Sequence, residues 1–146
     1  MDIEAVFNGM PFADLLGVEV TAASEGHAEG RLELTADHSS IPGRVVAHGG
    51  VAYALADTVG GAAVISLHQR ATPTVDMRID YLSPATEDLL AEADVVRNGS
   101  GVAAVEVTVS DVEGAHVADA RGVYKTGGGS GQWDAGDVAD RVNGDD

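Results

Sequence analysis

The 146-residue chain predicts an α+β fold in which a curved antiparallel β-sheet wraps around one long central helix. Three observations carry that prediction. From Val51 to about His68 apolar residues occur all round a helical wheel, so this helix is buried on most sides. Two runs before it and four after it alternate apolar and polar residues with the period of two that marks half-buried strands. The length suits one domain with a real hydrophobic core.

Taken in order, DIEAVFNG (2–9) predicts a short amphipathic helix, and PFADLLG adds a turn. VEVTAAS places Val18, Val20 and Ala22 on one side, and HAEGRLELTA places Ala28, Gly30, Leu32 and Leu34 together; Ser24-Glu25-Gly26 joins them as a hairpin. Residues 36–47 form a loop punctuated by Ser39, Ser40, Pro42 and Gly43. After the helix, TVDMRIDYL puts Val75, Met77, Ile79 and Tyr81 on one face and Thr74, Asp76, Arg78 and Asp80 on the other. Strands over roughly 88–97, 102–112 and 115–125 complete the set, with Val105, Val107 and Val109 inward. Asn98-Gly99-Ser100-Gly101 and Glu113-Gly114 supply the hairpin turns between them. A lone buried helix needs a cover, and a sheet curled around it supplies one. That is the hotdog architecture. It predicts a single domain over 1–125, followed by a flexible glycine-rich, acidic tail over 126–146.

Composition excludes several functions. Twenty-four acidic side chains face eight basic ones, a net charge of −16, which argues against nucleic acid and anionic lipid as partners. Without cysteine there is no disulfide, thiolate nucleophile or zinc–thiolate site. The five histidines show no ligand spacing, so neither a metal site nor a cofactor is expected. No stretch reads as a membrane span, and MDIEAVFNGM lacks the basic and apolar regions of a signal peptide, so a cytoplasmic protein is expected. Abundant Asp, a single lysine (Lys125) and small core residues resemble proteins from the salt-rich cytosol of haloarchaea, where screening removes the self-repulsion.

The chemistry concentrates in HGGVAYALADTVGG (48–61). Asp57 is the only carboxylate between Arg44 and Arg70, on a helix with no nearby cation. The helix opens with His48-Gly49-Gly50. Its first amides lack internal partners and carry the positive end of the macrodipole, and the glycines leave them uncovered for an anionic oxygen. Together these features suggest an oxyanion hole and a carboxylate. Eight residues separate Gly49 from Asp57, roughly 12 Å along a helix at about 1.5 Å per residue, too far to serve one carbonyl. Two antiparallel helices in a symmetric dimer would bring the start of each beside the middle of the other, so the spacing predicts at least a homodimer with two shared sites. Gly60-Gly61 is expected to allow close helix packing at that dimer contact.

HGGVAYALADTVGGAA followed by TPTVDMRIDYLSPA resembles the hotdog-fold acyl-CoA thioesterases of the phenylacetate-degradation (PaaI-like) type, over about Pro11 to Tyr124. The resemblance implies Asp57 as catalytic carboxylate, the Gly49 amide as oxyanion donor, His48 as a shaper of that hole and Thr74 as an assisting hydroxyl. It also implies an acyl-CoA substrate and a tetramer built from two dimers. Relatives often carry Asn six residues before the His, where this chain has Pro42; Ser40 or Arg44 could supply the missing group. For substrate binding, Gly50 joins Gly49, and Arg97 with the Gly99 and Ser100 amides is the candidate for the CoA phosphates. Two other readings stand beside hydrolysis: a hotdog dehydratase of 3-hydroxyacyl thioesters, faintly echoed by PGRVVAHGG, and a non-catalytic acyl-CoA-binding protein.

Overall fold

A computed structural model describes residues 1–127. The chain runs α1 (Ile3–Asn8), α2 (Pro11–Leu16), β1 (Val18–Ser24), β2 (His27–Leu32), a 3₁₀ turn (Ala36–His38), α3 (Gly49–His68), β3 (Thr74–Tyr81), β4 (Leu89–Asn98), β5 (Val102–Asp111) and β6 (His116–Lys125). The six strands form one antiparallel sheet in the order β1-β2-β4-β5-β6-β3, with α3 across its concave face. This is the hotdog fold the alternation predicts.

Helix α3 is apolar because most of its surface is covered by the sheet and α1, with Tyr53 and Leu67 left exposed. Leu55, Ala56, Val59, Ala62, Ala63 and Val64 are inaccessible to solvent, against Leu32, Leu89, Val105 and Val109 of the sheet. By length and composition α3 could cross a membrane, contrary to the expectation that no stretch could; most of it is buried within the fold instead. Small residues set the helix–sheet distance. A Cβ added to Gly30 would lie 2.5 Å from Cγ2 of Val59, so the sheet backbone touches the helix directly there.

Bulges decide which residues face inward. A register shift between Val20 and Ala22 inserts one residue into β1, so Ala23 opposite Ala28, rather than Ala22, continues the inner row. The expected face of β3 is only partly buried. Met77 is buried and Ile79 half-buried, whereas Val75 and Tyr81 are 61% and 53% exposed, because β3 is an edge strand. The hairpin at Glu25-Gly26 is as expected, with φ of 51° and 81°. The tail expected to begin at 126 is anchored for two residues: Thr126 is buried and its hydroxyl donates to the Gly99 carbonyl at 2.8 Å. Residues 128–146 lie outside the described residues.

Candidate active site

Asp57 sits midway along α3 beneath the β6–β3 edge of the sheet, and it is half-buried. Two hydroxyls converge on one of its oxygens. Thr74 Oγ1 donates to Asp57 Oδ1 at 2.7 Å, and Tyr124 Oη donates toward the same Oδ1 at 3.0 Å and the Asp57 carbonyl at 2.8 Å. Simple alternation would turn Thr74 outward with Asp76. A bulge between Thr74 and Asp76 reverses it, pairing Thr74 with inward-facing Tyr124 and aiming its hydroxyl at the helix.

Tyr124 had no place in the sequence reading. It is 1% exposed, and three glycines make its slot. A Cβ at Gly60 would lie 2.6 Å from its hydroxyl, one at Gly122 would lie 2.7 Å from its ring, and Gly61 flanks the ring at 3.5 Å. Gly60-Gly61 therefore serves packing within the chain, not the dimer contact expected for it; both residues are buried in the single subunit. The other two tyrosines also brace α3, with Tyr53 donating to the Met77 carbonyl at 3.0 Å and Tyr81 to the Gly49 carbonyl at 2.7 Å. Burial raises all three phenols above their ordinary value, and for Tyr53 and Tyr124 the Asp57 charge adds to it. Each therefore stays protonated and acts as a donor.

The helix start is built around His48. Its Nδ1 accepts the Gly50 N–H at 2.8 Å, which caps the helix and leaves the imidazole proton on Nε2. The Gly50 amide, expected to bind substrate, is thereby occupied. The Gly49 N–H has no acceptor among the described residues and borders a cavity of about 390 Å³ lined by His48, Ala52, Tyr81, Pro84 and Val117 among others. His38 fixes the approach to this helix. Its Nε2–H donates to the Leu16 carbonyl at 2.6 Å, Nδ1 accepts the Thr35 N–H at 2.9 Å, and its own carbonyl accepts the His48 N–H at 2.8 Å.

Other expected residues lie elsewhere. Arg97 is exposed beside a bulge in β4, at the opposite end of α3 from Gly49, about 28 Å away along the helix. The hairpin is tied to that end by a 2.6 Å hydrogen bond between His68 and Asn98. The Gly99 N–H donates to the Val102 carbonyl, and Ser100 is exposed. Pro42 lies in a loop closed on itself, where Ser40 contacts Val46 and Arg44 is exposed. Within one chain, then, Asp57 and Thr74 come together, His48 and Gly49 come together, and the two pairs stay a helix segment apart.

A sequence profile of the thioesterase superfamily matches residues 46–118, which hold both pairs. A Halobacterium salinarum protein, named provisionally as an esterase, is 39% identical over 123 residues, 75% of this chain and 80% of its own. The chain belongs to the thioesterase superfamily. Solved relatives agree on the fold. The Escherichia coli PaaI protein of the phenylacetic acid degradation operon superposes with a TM-score of 0.77 at 27% identity, over 86% of this chain and 91% of its own. A Streptococcus mutans protein with acetyl CoA bound superposes with a TM-score of 0.68 at 25% identity, over 74% and 86% of the two chains.

Proposed function

We propose that the protein hydrolyses an acyl-CoA thioester to the free acid and CoA, in sites shared between two subunits. The observation that carries this reading is that one continuous helix holds an uncommitted amide at its start and a hydroxyl-braced carboxylate eight residues on. At about 1.5 Å per residue the two groups are roughly 12 Å apart, so a second, antiparallel copy of the helix must bring them to one carbonyl. Asp57 lies under β3, whose outer edge is unpaired and exposes Val75. An open strand edge is a natural place for another copy to add. Acetyl CoA in the Streptococcus mutans relative supports the choice of thioester.

In this reading the thioester oxygen rests on the Gly49 N–H, and the helix dipole favours the negative charge that develops there. Asp57 of the other subunit either takes a proton from the attacking water or attacks the carbonyl carbon itself to form an anhydride that water then opens. Either route delivers oxygen to the acyl carbon and releases CoA as the thiol. His48 holds the helix opening in shape, and Arg97, on β4 beside the far end of the neighbouring α3, meets the CoA phosphates.

Thiol release from a panel of short, long and aromatic acyl-CoAs, measured in molar KCl, tests the proposal. Hydrolysis of at least one member, abolished by Asp57→Asn, is expected. Silence across the panel, or undiminished turnover in that variant, overturns it.

A further inference from the structure

Asp57 has two carboxylate oxygens, and the protein treats them differently. Oδ1 lies within hydrogen-bonding distance of both the Thr74 and Tyr124 hydroxyls, at 2.7 and 3.0 Å. Among the described residues no donor reaches Oδ2. The Tyr124 hydroxyl comes from a side chain buried to 1% exposure, which has nowhere to move. Gly60 leaves room for its oxygen and Gly122 for its ring, and a Cβ at either position would lie under 3 Å from it. A chain that keeps glycine inside its buried helix and inside β6 gives up helix and strand stability at both places. What that room admits is a phenol aimed at Asp57, its hydroxyl shared between the main-chain carbonyl at 2.8 Å and one carboxylate oxygen at 3.0 Å.

We infer that Tyr124 is a positioning residue for Asp57, its buried hydroxyl acting with Thr74 to hold Oδ1 so that Oδ2 is the oxygen presented to the reacting atoms. The inference rests on the reading of Asp57 as the reacting carboxylate. Two fixed donors on one side of the carboxylate stop it rotating about its last torsion, which is otherwise broad and roughly two-fold. A carboxylate held in one orientation meets the acyl carbon or its water with less entropy left to lose. The hydroxyl transfers no proton of its own, because burial and the Asp57 charge keep the phenol protonated.

Tyr124→Phe removes the hydroxyl and keeps the ring. Its kcat is expected to fall about 10-fold, the loss of one hydrogen bond to a charged group, with KM within about two-fold of the parent. Gly60→Ala, which crowds the same hydroxyl with the ring intact, is expected to lower kcat in the same direction. A second readout does not depend on turnover. The infrared carboxylate band of Asp57, isolated by subtracting the Asp57→Asn spectrum in each background, is expected to shift in Tyr124→Phe. An unmoved band overturns the inference, whatever happens to activity, because any loss is then only structural. An unchanged kcat also overturns it. A shifted band in a protein whose parent releases no thiol supports the hold of Tyr124 on Asp57, and the failure falls on the thioesterase reading instead.

Discussion

Two adjacent glycines of α3 should respond oppositely to the same substitution. A Cβ at Gly60 would stand 2.6 Å from the Tyr124 hydroxyl, nearly an ångström inside ordinary contact, and the Tyr124 ring already packs so close to the Gly122 backbone that a Cβ there would lie 2.7 Å from it. Crowding of this kind costs about 1–3 kcal/mol, and the gain in helix propensity from Gly to Ala returns about 1 kcal/mol. Gly60→Ala should therefore lower stability by about 1 kcal/mol, a fall in Tm of roughly 2–4 °C for a chain of this size. At Gly61 the nearest side-chain atom to an added Cβ is on the Tyr124 ring at 3.5 Å, an ordinary contact. Gly61→Ala keeps the propensity gain of up to about 1 kcal/mol and should leave Tm unchanged or higher. Adding Tyr124→Phe to Gly60→Ala removes the clashing oxygen and leaves contacts of 3.4 Å, so the pair should be markedly less destabilising than the sum of its parts. Thermal unfolding followed by circular dichroism in molar KCl measures the parent, the three single variants and the pair. Equal shifts for the two glycines, or strict additivity in the pair, would refute the slot argument.

Four further outcomes are expected. Thr74→Val removes the 2.7 Å donor to Asp57 and should lower kcat about 10-fold with little change in Tm, by thiol release and thermal melts. Arg97→Ala should raise KM for acyl-CoA without lowering kcat, and an unchanged KM would remove Arg97 from phosphate binding. The His27 pKa is raised above 6.5, chiefly by its hydrogen bond to Asp94. That contact stabilises the fold fully below about pH 6.5 and fades as pH rises through the raised value, by no more than about 0.5 kcal/mol at so exposed a site; Asp94→Asn should flatten this part of the stability–pH profile. With −16 charges per chain, oligomer and activity should strengthen together as KCl rises and the Debye length falls from about 10 Å at 0.1 M to about 3 Å at 1 M, followed by light scattering and thiol release.

Periodicity made the architecture legible. An all-round apolar helix can only be a covered one, and alternation in β4, β5 and β6 located those strands within a residue or two. Single-residue insertions were not legible. The bulges that turn Ala23 inward and Thr74 toward Asp57 leave the composition of their strands unchanged and reveal themselves only in the partner's register. Asp57 and Gly49 stood out because a lone carboxylate and paired glycines are unusual on a buried helix. Tyr124 did not, because a tyrosine in a strand is ordinary until its hydroxyl is seen against Asp57. One signal was available: Gly60 and Gly122 lie in otherwise well-packed elements, and glycine there marks a close approach by something. Gly50 misled for the opposite reason, since the amide that sequence leaves open is closed by the neighbouring imidazole.

The shared site can be tested with two inactive variants. Asp57→Asn removes the carboxylate. Gly49→Pro removes the N–H at the first helical position, where the His48 ψ of 141° already suits a following proline, and its Cβ meets the Tyr81 side chain at 3.1 Å, which must give by a few tenths of an ångström. Each variant alone should be inactive. In a dimer of one Asp57→Asn chain and one Gly49→Pro chain, purified through two different tags, one site carries both lesions and the other carries none. Such a heterodimer should recover about half the parental rate of thiol release. If it is as inactive as its parents, Asp57 and Gly49 act within one chain or not at all, and the shared-site account is wrong.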